Sequence, residues 1–222
     1  MKTTISRFKA VAATLALSFA LLAGAQAAVV YLQPFDMSGM ALASQNDTAS
    51  LGNFATMYDN FVLGAAATIN NVEWTGEYFN PPIQGPITAW TVSFYADDGG
   101  EPGALLMRDN MAGTANEAFV GNFAGFPAYK YSFNLSMAFN AAAGTQYWLS
   151  VVPDLADPPQ WGWSTGLGGD GVSVQDFFGN RYTLTNDVAF TLNGIPEPNS
   201  ITLAGFGLAL GGAVIYFRRR RI

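Results

Sequence analysis

The ten residues Ile87–Ala96, ITAWTVSFYA, decide the fold class. Trp90, Val92 and Phe94 fall on one side of an extended chain, and Thr91, Ser93 and Tyr95 on the other. A period of two, rich in aromatic and β-branched residues, is the pattern of a half-buried strand. The same reading extends outward. In YKYSFNL, Tyr129, Tyr131, Phe133 and Leu135 alternate with Lys130, Ser132 and Asn134. TQYWLSVV groups Tyr147, Leu149 and Val151, and DVAFTLNG groups Val188, Phe190 and Leu192. Shorter candidate strands are Val29–Gln33, Asn60–Leu63, Thr68–Gly76, Ala104–Arg108, Ala118–Asn122 and Gln160–Ser164. Between them stand NPPIQGP, DDGGEPG, FAGFP, NAAAGT, PDLADPP, GLGGDG and FGN, all rich in turn residues. The body shows no long capped amphipathic helix and no repeat of fixed period. The expected fold is therefore all-β: an antiparallel two-sheet sandwich of jelly-roll type, with a closed barrel as the alternative. Residues 36–56 are small and polar and are expected as an extended loop or a weakly paired edge.

Both ends of the chain read differently. Residues 1–27 carry Lys2, Arg7 and Lys9, an apolar stretch from Val11 to Ala23, and Ala25-Gln26-Ala27. That order is a secretory signal, expected as a cleaved N-terminal helix. At the other end, Ile201–Phe217 holds no charge and as a helix spans roughly 25 Å, the short end of a membrane crossing. Arg218, Arg219, Arg220 and Arg221 follow and hold that end in the cytoplasm, as stop-transfer residues. Before it stand Pro196, Glu197 and Pro198, whose prolines fix φ and withhold backbone donors, so an exposed extended segment is expected there. The expected organisation is a signal peptide over 1–27, a β-sandwich over 28–194, and a tail with one transmembrane helix over 195–222.

These three tail features, in this order, closely resemble the PEP-CTERM sorting domain. The resemblance covers Ile195 to Arg221; it departs only at Asn199, where the family often has Ser or Thr directly after the motif. It implies export in a Gram-negative bacterium that makes extracellular polysaccharide. It also implies processing by an exosortase, a membrane-embedded cysteine transpeptidase that reads Pro196-Glu197-Pro198. The precursor would sit in the inner membrane and the mature protein at the cell surface or in the extracellular matrix. The stretches FVLGAAATINNVEWTGEYF, WTVSFYADDGGEPGALL and YWLSVVPDLADPPQWGWSTG also look like β-domains carried on such proteins.

Charge narrows the partners. The body has three basic residues (Arg108, Lys130, Arg181) against fifteen acids, a net charge near −12. Such a surface repels nucleic acid and anionic lipid. No Cys is present to staple an exported domain, and no His to serve as base or metal ligand. No G-x-S-x-G, HExxH or phosphate loop occurs, so the body is expected to be non-enzymatic.

Three constellations remain. Asp97, Asp98 and Glu101 on a glycine turn are candidate oxygen ligands for calcium, with Asp154, Asp157 and Asp170 in other loops as further candidates. Trp161 and Trp163, two apart on a strand, are candidate glycan-stacking residues, with Tyr147 and Trp148 nearby in composition. Acid pairs are candidates for glycoside hydrolysis, although fifteen acids bring some pair to that spacing by chance. The expected role is an exosortase-sorted structural or adhesive protein of biofilm or exopolysaccharide. The alternative is a carbohydrate-binding module, calcium-assisted or not; a polysaccharide-degrading enzyme ranks third.

Overall fold

A computed structural model describes residues 27–197. The described residues form fifteen strands: β1 (Ala28–Gln33), β2 (Ala41–Ala43), β3 (Gln45–Asp47), β4 (Gly52–Val62), β5 (Ala67–Phe79), β6 (Ala89–Asp97), β7 (Pro102–Ala112) and β8 (Ala118–Phe123). They continue with β9 (Phe126–Ala141), β10 (Gln146–Asp154), β11 (Gln160–Gly166), β12 (Ser173–Phe177), β13 (Asn180–Leu184), β14 (Asp187–Val188) and β15 (Phe190–Pro196). No α-helix occurs among the described residues. The expected signal segment up to Gln26, the expected transmembrane run, Pro198 and Arg218–Arg221 lie outside them.

Two sheets pack face to face. An eight-stranded sheet follows β1-β15-β5-β11-β14, with β9 on the other flank of β5, β8 beyond β9, and β2 against β11. A seven-stranded sheet runs β13-β12-β4-β3-β10-β6-β7, with β4 also paired to β10. Strand pairing is antiparallel apart from the short β3–β10 contact. This is the expected all-β sandwich.

The core follows from alternation. Trp90, Val92 and Phe94 of β6 are fully buried, as are Leu149 and Val151 of β10. They meet Val72, Trp74 and Tyr78 of β5, Tyr131 of β9, and Trp161 and Trp163 of β11. The rings interlock: Trp74 and Trp90 have centroids 4.8 Å apart, Trp90 and Trp161 5.0 Å apart at 83°, and Phe94 stacks on Phe139 at 4.3 Å. Edge-to-face and offset contacts of this kind add to the burial of the rings.

Residues 36–56 match the expected weakly paired edge only in part. They hold β2, β3 and the start of β4, and Ser44, Gln45 and Asp47 are buried. Polar side chains here replace apolar ones as links to neighbouring strands. Ser44 Oγ donates to the Val151 carbonyl at 2.7 Å, and Gln45 accepts from Trp161 N at 2.7 Å while donating to the Leu155 carbonyl at 3.0 Å. Asp47 accepts backbone N–H groups from Asp157, Ala49, Ser50 and Leu51 at 2.7–2.9 Å. Those bonds, Asp157's foremost, hold its carboxyl below the usual range. β12 and β13 are also additions to the expected strands. They form a hairpin turned at Phe178 and Gly179, with φ of 47° and 78°.

Candidate functional site

The outer face of the seven-stranded sheet is built from alternate residues of its strands, and register sets them in rows. One row runs Val174, Tyr58, Ser150, Ser93, Arg108 across β12, β4, β10, β6 and β7. Beside it lie Arg181, Asp176 and Thr56 toward one edge, and Val152, Thr91 and Asn110 toward the other. Short side chains fill the middle and long ones the margins, which leaves a cleft. One lobe, of about 360 Å³, is lined by Asn46, Thr56, Tyr58, Tyr95, Arg108 and Asp154, among others. The adjoining lobe, of about 420 Å³, shares Asn53, Thr56 and Tyr58 with it and reaches Asp176 and Arg181. In this row β4 pairs directly with β10, so five strand-to-strand steps separate β13 from β7, each of about 4.8 Å.

The margins are pre-set by side-chain bonds. Arg181 grips Asp176 with two parallel bonds of 2.8 and 2.9 Å, and pairs with Glu101 of the β6–β7 turn at 3.5 Å. Its guanidinium also lies 5.8 Å from the ring centre of Tyr58. Arg181 holds the Asp176 carboxyl below its ordinary value. Burial, with Tyr95 and Asp176 beside it, raises the Tyr58 hydroxyl, which stays protonated and donates to Asp176 at 3.2 Å. Tyr95 meets Tyr58 edge-on at 5.4 Å. At the far end Asn46 donates to Asp154 at 2.8 Å, and Thr91 donates to Asn110 at 2.8 Å. The face thus offers amide and hydroxyl groups at fixed spacing, two tyrosine rings and two guanidinium groups. That is the equipment for holding a polyhydroxylated chain.

The residues expected from sequence fall elsewhere. Trp161 and Trp163 do share a face, but it is the inward one. Both are 0% exposed, with indole N–H groups given to Tyr131 Oη at 3.1 Å and the Ala189 carbonyl at 2.9 Å. No ring face is free to stack on a sugar, so this pair is core. Trp148 is also fully buried, under Tyr58 and Val174 on the outer face, and donates to Asp97 at 2.8 Å.

Asp97, Asp98 and Glu101 form a hairpin turn rather than an oxygen cage. Asp97 is engaged by Trp148, by Gln146 at 2.9 Å and by Gly100 N, while Glu101 faces Arg181. Asp154 is bonded to Asn46 and Asp170 to Asn60, so the wider acids do not converge on the turn either. Among the described residues no group of three or more Asp, Glu, His or Cys side chains is placed to hold a metal ion. Pro196 and Glu197 are exposed at the end of β15. Among the described residues Pro196 pairs with Ala67 alone, and the described ladder with β1 ends at Gly194.

Sequence reading missed Tyr58, Tyr95, Arg108, Asp176 and Arg181 as site residues. One signal was present: two of the three cations of the body border this one cleft.

No protein-family model matches the chain, and no curated protein does. Among solved structures it is similar to TmCBM27, a carbohydrate-binding module characterised for specific mannan recognition. The identity is 14%, the match covers 63% of this chain and 64% of that one, and the TM-score is 0.31.

Proposed function

We propose that the chain is an exported binding protein whose sandwich holds a polysaccharide across the outer face of the seven-stranded sheet. The observation that supports this is the cleft itself. Rows of hydroxyl and amide groups lie beside a touching pair of tyrosine rings, already fixed by their own hydrogen bonds. Pre-fixed polar groups bind at lower entropic cost than loose ones. Tyr95 is the half-buried ring at the margin, positioned to meet the C–H face of a sugar.

The test is affinity electrophoresis of the full chain in detergent, through gels containing a broad panel of polysaccharides. At least one polymer retards the chain, and Tyr95→Ala abolishes the retardation while leaving the melting temperature within a few degrees. Free migration in every gel overturns the reading.

Delivery is part of the same proposal. The signal segment exports the body, and an exosortase acts at Pro196-Glu197-Pro198, leaving an adhesive protein at the cell surface or in the matrix. The support is the sequence of the tail, together with the exposed position of Pro196 and Glu197. Replacing all three motif residues with alanine in a sorting-competent host blocks release from the membrane fraction. Unchanged release refutes it.

A further inference from the structure

The geometry points to an anionic polysaccharide as the ligand of this cleft, met at one sugar oxyanion by the guanidinium of Arg108. The inference rests on the glycan-binding reading and adds the class of sugar.

Among the described residues there are three side-chain cations, and two of them are matched. Lys130 pairs with Glu73 at 2.8 Å, and Arg181 pairs with Asp176 and Glu101. Among the described residues no carboxylate lies within salt-bridge distance of Arg108. Its Nε donates to Ser93 Oγ at 3.4 Å, and the rest of its fork is uncommitted. It stands exposed on β7, at the cleft margin, in register with the short residues Ser93 and Ser150. Its neighbour Asp109 faces the other way, is buried, and accepts from Ser136 N.

An unmatched cation on a body of net charge near −12 is unusual in its placement as well as its rarity. Neutral sugar hydroxyls also accept from a guanidinium, but more weakly than an oxyanion does. A guanidinium fork suits the planar two-oxygen edge of a carboxylate, and also suits a sulfate ester. The bulk negative charge repels polyanions in general, so Arg108 favours a chain whose charge lies in register with the cleft.

The experiment compares polygalacturonate and alginate with their carboxyl-reduced forms, and dextran sulfate with dextran, using the full chain in detergent. At least one charged polymer is expected to bind about tenfold or more tightly than its neutral counterpart. Arg108→Gln removes that difference with an unchanged melting temperature, and Arg108→Lys restores part of it. Preference for the uronates or for the sulfated polymer tells carboxylate from sulfate. Equal binding of charged and neutral forms overturns the inference and leaves the glycan reading standing. So does an Arg108→Gln variant that binds charged polymer like the wild type. Failure to bind any polymer, charged or neutral, removes both.

Discussion

Replacing Trp161 with alanine tests whether the tryptophans of β11 hold the domain together or hold a ligand. The indole is 0% exposed and packs edge-on against Trp90 at 5.0 Å and Tyr131 at 5.8 Å. Truncating a buried tryptophan removes its transfer free energy and leaves a cavity, at a cost of about 3–5 kcal/mol. The lost N–H bond to Tyr131 Oη adds little, because that hydroxyl still donates to Glu117 at 2.8 Å. For a domain of this size the melting temperature falls by roughly 6–20 °C. Denaturant titration of the full chain reads the same loss as a lower midpoint with an unchanged slope. Polysaccharide retardation, measured below the new melting point, is expected to persist. A variant with the wild-type midpoint that no longer binds glycan would refute the placement of this ring in the core. Trp161→Phe, which keeps a ring in the site, costs less and separates packing from the indole bond.

Two further outcomes follow from buried groups. A Cβ added at Gly76 would lie 2.0 Å from Trp161 Cζ2 and 2.8 Å from the Gly162 carbonyl oxygen; Gly76→Ala therefore destabilises by about 1–3 kcal/mol through overpacking, read as a lower denaturant midpoint. Glu77 is 1% exposed with Oε1 unpartnered, and burial, ahead of the neighbouring Asp36, pushes its carboxyl up to about 7. The folded state thus holds a proton that the unfolded chain gives up at lower pH. This contribution is fully present below the ordinary glutamate range and is lost as pH rises toward 7. Melting temperature against pH should show that decline, and Glu77→Gln should flatten it; an unaltered profile means that Glu77 ionises normally.

Much of the sandwich was legible because apolar side chains alternate wherever one face is buried. ITAWTVSFYA names its own inward residues, and so does YKYSFNL. Alternation also misleads when the outer face is locally covered. Tyr147, Leu149 and Val151 were read as one inward set, but Trp148 between them is buried too, by Tyr58, Val174 and the turn at Asp97. Residues 36–56 read as an extended loop or a weakly paired edge because they are small and polar, and nothing local marks Ser44, Gln45 and Asp47 as buried. Their partners, the Val151 and Leu155 carbonyls and the Asp157 amide, lie far along the chain, where no local pattern can reveal them. β12 and β13 are short and polar and show no apolar stripe. The cleft was the least legible part. Arg108 and Arg181 stand out as rare cations, but only strand register brings β7 and β13 onto one face with Tyr58 and Ser150 between them.

The position of β15 bears on how the domain carries tension. It is flanked by β1 on one side and β5 on the other, and its register with both is antiparallel. Ladder bonds run across the strands, so traction along β15 from its Pro196 end strains both ladders in parallel, in shear, instead of peeling bonds one at a time. A body tethered through that strand and tugged by a polymer on the opposite sheet would spread the pull over two seams at once.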